Sequence, residues 1–416
     1  MKKKFRLYVG FLLMASGVCA MTACSGGEES IANTTGGGSV SKTDEVLTLT
    51  INTGNVSSRA TDIKSDPTAT KENTINRITV GIFDPGTGAV KSIQELKSGD
   101  GSAGSGTFNV TTSGSNAVAV ANIVTSALAQ NDDVLVAVNA PVGHFSGVTS
   151  KSAFAKDLDL SIALTTTGNS SAATSAETSE NIPMYGEGAL GAPSGSNFTA
   201  NINVVHLIAK VTLESLTVDF DENGSYKNAT FTPTAFFLIN VPEKLVFQTS
   251  PIWTSTNTNW YHGFATDTGN HGTYKEYLTT STIVSGQELK GTKASATATF
   301  NDKYYLYAMP NSSDVDGTRT KLVIAGQFKA DGQTVSNGGK DVYYPVSINA
   351  TYDAAGNATA PNGTIYKVYP NKNYKCSVII KTLGSDDPWK SIDPQTAQIT
   401  VTVTDFEDVN QTTTFK

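Results

Sequence analysis

The chain has 416 residues, a formal net charge of −7, only 16% charged residues and 37 glycines. That length is enough for two cores of ordinary size, and the acid excess argues against a nucleic-acid partner. Abundant Gly, Thr, Ser and Asn, without long Leu/Ala/Glu/Lys stretches, exclude a helical bundle and point to an all-β chain of short strands joined by turns.

The chain opens on a leader. Lys2, Lys3, Lys4 and Arg6 form a positive start, residues 7–18 an apolar run too short for a comfortable membrane span, and Met21-Thr22-Ala23-Cys24 ends it with small residues before a cysteine. This resembles a bacterial lipoprotein signal, in which Cys24 becomes the lipidated first residue. Loss of residues 1–23 leaves a charge of about −11, and a product starting at Ala60 about −9, so the processed chain is expected to be soluble and mildly acidic. Residues 25–44 cannot bury enough apolar surface to offset their conformational entropy and read as a tether.

Leu47-Thr48-Leu49-Thr50-Ile51 then alternates apolar and threonine side chains, the period of a strand with one buried face. Behind it, Ser57-Ser58-Arg59-Ala60 offers a basic residue among small neighbours, the surroundings that a trypsin-like or arginine-specific protease needs, although any lone surface arginine would satisfy that much. Near the far end, Ile399-Thr400-Val401-Thr402-Val403 repeats the alternation. Either segment could therefore fill the same slot in a sheet.

Between these ends, strand patterns run over 75–83, 117–123 and 134–138, followed by a short helix expected at 150–158 and a Ser/Thr/Ala/Gly-rich surface loop at 165–179. The pattern resumes at Ile182-Pro183-Met184-Tyr185-Gly186. A long strand is expected over 202–219, and further strands over 234–241, 303–309, 320–328, 342–348, 364–369 and 374–381. Strands this short, punctuated by Gly, Asn and Pro, suggest antiparallel sandwiches with a boundary near residue 203.

Catalytic chemistry finds little support. His144, His206, His262 and His271 are scattered, and no metalloprotease, Walker or nucleophile-elbow motif is present. Ser39-Val40-Ser41-Lys42 matches Ser-x-x-Lys, but it lies in the tether, where nothing holds a catalytic geometry. Asp219 to Gly224 copies the first half of a calcium loop, yet Thr230 stands where a bidentate glutamate is needed, so a polar hairpin turn is the simpler reading. Trp253, Trp260 and Tyr261 could stack on a sugar or partner, although cover for a core edge is the more economical role. Cys376, alone in the folded part, reads as a small buried hydrophobe. No enzyme activity, metal or cofactor is expected.

Taken together, the order of these features resembles the fimbrillin family of Bacteroidia, the FimA-like pilins of type V pili. The resemblance runs from Cys24 through Arg59-Ala60, Ile182 to Gly186, His206 to Val211, Phe237 to Val241, Tyr305 to Asn311 and Tyr374 onward. It departs at His206, where many relatives have arginine, and at Phe406, where an aromatic, often tryptophan, is usual.

The resemblance implies two transthyretin-like antiparallel β-sandwich domains in tandem. It divides the chain into a lipoprotein signal (1–23), a propeptide (24–59), an N-terminal sandwich (60–203), a C-terminal sandwich (204–394) and a donor segment (395–416). It further implies export to the outer membrane and cell surface, cleavage between Arg59 and Ala60 by an arginine-specific protease, and assembly with other fimbrial subunits. Leu47, Leu49 and Ile51 would be the resident plug, and Ile399, Val401, Val403 and Phe406 the donor side chains. A shaft subunit is the first expectation and a tip or anchor subunit a variant of it. A monomeric surface lipoprotein binding glycans or proteins through its loops is the alternative.

Overall fold

The computed structural model describes residues 45–53, 72–97, 107–113, 116–159, 181–248, 259–281, 289–290, 297–330, 339–353, 357–392 and 397–405, all within one compact unit, Thr43–Lys416. The expected leader, tether and 165–179 loop, together with Cys24, Arg59, Ala60, Trp253 and Phe406, lie outside these residues. Among the described residues the regular secondary structure is almost entirely strand.

The first half holds β1 (Glu45–Asn52), β2 (Arg77–Phe83), β3 (Val90–Lys97), β4 (Thr107–Ser113), β5 (Asn116–Thr125), β6 (Asp133–Val138), β7 (Asp157–Asp159), β8 (Met184–Ala189), β9 (Asn197–Asn203) and β10 (Val205–His206). They form one sheet in the order β4-β5-β1-β9 and another in the order β10-β8-β6-β2-β3. Alternation explains the core between them: β9 reads exposed-buried along its whole length, and Phe198, Ala200 and Ile202 turn inward to meet Leu47, Leu49, Val80 and Val136. Gly186 lets the sheets close up, since a Cβ there would stand 2.3 Å from the Asn203 carbonyl oxygen.

The second half holds β11 (Ala209–Val218), β12 (Thr230–Ile239), β13 (Val241–Pro242), β14 (Lys244–Val246), β15 (Trp260–His262), β16 (Thr273–Tyr274), β17 (Thr279–Ser281), β18 (Leu289–Lys290) and β19 (Thr297–Ala308). It continues through β20 (Lys321–Lys329), β21 (Lys340–Ser347), β22 (Thr351–Tyr352), β23 (Ala358–Thr359), β24 (Lys372–Ile380) and β25 (Ala397–Asp405). Its main sheets run β19-β11-β24-β25 and β17-β12-β20-β21.

The two halves follow one path. β11 sits between an antiparallel β19 and a parallel β24, as β1 sits between an antiparallel β5 and a parallel β9. In the facing sheets, β17-β12-β20-β21 repeats β3-β2-β6-β8. The core of the first half ends at Val204 and that of the second takes up Leu207 and Ile208.

Four sequence expectations are corrected. The helix expected at 150–158 is a single 3-10 turn, Ser152–Phe154, followed by β7, which pairs with β14; only Phe154 and Leu158 bury, too few for a helical apolar stripe. The single strand expected over 202–219 is broken into β9, β10 and β11, because consecutive Leu207 and Ile208 are both buried where the chain changes sheets. At 364–369 there is only an isolated bridge from Val368 to Asn311, with Tyr366 at φ 68° interrupting extended backbone. The segment after Asp219 is no hairpin, since β11 and β12 belong to different sheets; it crosses between them with Phe220 buried against Phe328 and Asp221 capping the Asn223 amide.

Candidate functional site

β1 is the middle of its sheet, and its burial pattern follows its sequence. Leu47, Leu49 and Ile51 are fully buried, while Thr48, Thr50 and Asn52 keep partial exposure on the outer face. Leu47 stands across from Ile123 and Phe198, Leu49 from Ala121 and Ala200, and Ile51 from Ala119 and Ile202. The alanines are what the neighbours contribute: small side chains on β5 leave depth for the branched side chains of β1. Burying three such residues contributes about 1.5–3 kcal/mol each, and backbone pairing on both edges adds to it.

The outer face and the ends fix the register. Thr48 Oγ1 donates to Asn122 Oδ1 at 3.0 Å, and Asn122 Nδ2 donates to Thr107 Oγ1 at 3.0 Å, so a polar chain crosses three strands. At the start of β1, the Glu45 carboxylate accepts the Leu128 amide at 2.6 Å. At its end, Thr53 Oγ1 accepts the Ala117 amide at 3.0 Å, and the Thr53 amide donates to the Ala117 carbonyl at 3.2 Å.

Residues 54–71, which contain Arg59, lie outside the described residues, and the chain re-enters at Glu72 in a buried polar cluster. The Glu72 carboxylate pairs with Lys210 Nζ at 3.1 Å and accepts the Tyr307 hydroxyl at 2.6 Å. His206 Nε2 donates to the Glu72 carbonyl at 3.0 Å. Lys210 on β11 and Tyr307 on β19 belong to the second half, so the lead-in to the first sandwich is tied to the second. Burial lowers the His206 pKa, with Lys210 adding to the effect against the hydrogen bonds to Glu72 and Asn371, so the ring is neutral at neutral pH.

At the other end, β25 pairs antiparallel with β24, from Lys372↔Asp405 to Ile380↔Ala397, and lies at the edge of its sheet. Ile399, Val401 and Val403 are on this strand. β25 is thus bonded along one side, where β1 is bonded along two.

The remaining sequence candidates fall into structural roles. Cys376 is fully buried on β24 and burial pushes its thiol pKa well up, as for a packed hydrophobe. Trp260 is half-buried, Tyr261 and His262 are buried, and β15 covers the outer face of the β12–β20 region around Phe237. His144 is flanked by Phe145 and Phe247. Among the described residues no group of three or more His, Cys, Asp or Glu side chains is placed to hold a metal ion. The Glu72 cluster was missed by sequence reading, because a single Glu beside a loop carries no periodic signal.

With this geometry in place, the comparisons with known proteins can be read. Residues 46–214, starting within β1 and ending in β11, match the family model described as Major fimbrial subunit protein (FimA). Over this part of its length the chain is similar to that fimbrial family. No curated protein matches the chain. Among solved structures, a candidate cell adhesion protein from Bacteroides eggerthii DSM 20697 superposes with TM-score 0.57 at 20% identity, covering 89% of this chain and 98% of that one. A fimbrilin (fimA) from Porphyromonas gingivalis W83 gives TM-score 0.55 at 16% identity, over 88% of this chain and 99% of the other. A candidate cell adhesion protein from Parabacteroides distasonis ATCC 8503 gives 0.55 at 13% identity, over 87% and 100%. At these identities the structural likeness shows a shared fold.

Proposed function

We propose that this chain is a structural fimbrial subunit that polymerises by exchange of β1 for the C-terminal strand of another copy or of a related subunit. It reaches the surface as a precursor lipidated at Cys24, and an arginine-specific protease cuts between Arg59 and Ala60. The observation that carries this reading is the position of β1. It is an interior strand of its sheet with a fully buried inner face, joined to the body on its C-terminal side through residues 54–71, where Arg59 lies. Its removal would leave the facing edges of β5 and β9 unpaired, with Ala119, Ala121 and Ala200 beside the gap. An alternating strand restores both the hydrogen bonds and the packing.

Ile399, Val401 and Val403 supply that alternation, with Thr400 and Thr402 at the places of Thr48 and Thr50. As an edge strand, β25 gives up pairing on one side and gains it on two. Slot and filler lie on different parts of one chain, so the contact is heterologous and propagates into a fibre. Before cleavage the attached β1 wins because its effective concentration is high.

The test is to treat purified precursor with an arginine-specific protease and follow size by sedimentation and electron microscopy, with Arg59→Ala and a chain ending at Pro394 as controls. Filaments that need both Arg59 and the tail, from chains whose first residue by mass spectrometry is Ala60, are expected. Surface material that keeps Cys24 and never polymerises would overturn the reading in favour of a monomeric ligand-binding lipoprotein.

A further inference from the structure

Between β24 and β25 the chain does not turn back directly. After Ile380 it crosses to the opposite sheet, where Tyr343 and Ser385 exchange backbone hydrogen bonds of 2.8 and 2.9 Å and lay the segment beside β21. The Tyr344 hydroxyl donates to the Thr382 carbonyl at 2.9 Å. Trp389 then packs on the patch formed by Phe237, Ile239, Val323 and Ala325. Its ring stacks on His271 at 4.1 Å and 12° and meets His262 edge-on at 5.1 Å and 85°.

The two imidazoles are themselves held. Asp267 accepts His271 Nδ1, the His271 amide and the Gly269 amide, each at 2.8 Å. His262 is buried with neither ring nitrogen hydrogen-bonded and with Nε2 3.8 Å from the Asp267 carboxylate, and the indole meets its ring edge-on. Two residues beyond Trp389, Ser391 Oγ accepts Lys321 Nζ at 2.6 Å and donates to the Asp316 carboxylate at 2.6 Å. Lys321 is itself buried to 1% side-chain exposure and pairs with Asp316 at 3.1 Å.

We propose that residues 383–392 are a clamp that fixes the point from which the C-terminal strand leaves the body, with Trp389 as its pin and Ser391 as its last fastening. The consequence is reach. With the chain fixed through Ile392, only residues 393–396 separate the body from Ala397, a reach of at most about 18 Å over five steps at ~3.3–3.6 Å per residue. With the clamp open, the pivot moves back to the end of β24 and the free span grows by about 40 Å on the same scale. A short span raises the effective concentration of the strand at one geometry and lowers it at all others. Trp389 and Ser391 are therefore positioning residues for strand exchange, and this role rests on the function proposed above.

The test uses the full chain as Trp389→Ala, Trp389→Phe and Ser391→Ala. In the uncleaved monomer, hydrogen exchange over 383–392 is expected to rise about tenfold in Trp389→Ala with 372–380 unchanged, and Trp389→Phe to stay near wild type. After cleavage, a synthetic peptide of residues 397–405 is expected to enter the Trp389→Ala groove as it enters wild type, while assembly through the chain's own tail slows by about fivefold or more. Equal effects on peptide entry and self-assembly, or unchanged exchange over 383–392, would overturn the clamp. A wild-type chain that neither polymerises nor takes the peptide would overturn strand exchange instead, and the monomer exchange data would still judge the clamp.

Discussion

Replacing Leu49 by Ala asks whether β1 is held mainly by its side chains. Leu49 is fully buried and stands between Ala121 and Ala200, neither of which can extend into the space left behind. Large-to-small substitutions in cores cost about 2–5 kcal/mol, with the larger values at sites that cannot collapse, so about 3–4 kcal/mol is expected here. At about 1.4 kcal/mol per tenfold, that shifts the docking equilibrium of β1 by two orders of magnitude or more. Urea unfolding followed by circular dichroism reads the global part, and hydrogen exchange at β5 and β9 amides reads local opening. Entry of a 397–405 peptide into uncleaved precursor should accelerate by a similar factor. A loss below about 1 kcal/mol with unchanged exchange would refute the claim that these side chains seal the slot.

Three further outcomes follow from the same structure. Glu72→Ala leaves Lys210 buried without its carboxylate and should cost about 3–5 kcal/mol in chemical denaturation, whereas Glu72→Gln combined with Lys210→Met should recover much of it; equal losses in both would contradict the ion-pair account. Burial lowers the pKa values of His206 and His262 below 6.5, so the unfolded chain takes up protons that the folded chain refuses. Stability is thus intact above about pH 6.5 and falls as the pH drops toward 5, and thermal melts of His206→Asn should show a shallower fall. Cys376, buried with a raised thiol pKa, should resist iodoacetamide at pH 8 in the native chain and react only on unfolding.

Period-two alternation made β1, β5, β6, β20, β21 and β24 legible, because each buries one face or stands in the middle of a sheet. The same signal misled at 202–219, where alternation continues through a change of sheets and only the adjacent burial of Leu207 and Ile208 betrays the break. β3 was not legible since most of its residues are only partly buried at a sheet edge, and β4 was lost among Gly and Ser neighbours. At the candidate site, Leu47, Leu49 and Ile51 were readable from pattern alone. Glu45, Asn122 and Glu72 were not, for their roles depend on partners 74 or more residues away: Leu128, Thr48 and Tyr307.

The central place of β1 also bears on the order in which the molecule folds. Within their sheet β5 and β9 are joined only through β1, and Ala121 and Ala200, which meet the same leucine, are remote in sequence. Closing that sheet therefore waits on a high-contact-order event, and the first sandwich should mature slowly compared with its hairpins. Under the function proposed above, a chain cut at Arg59 before this step completes would lose β1 before its slot had formed, so the proposal requires folding to precede cleavage.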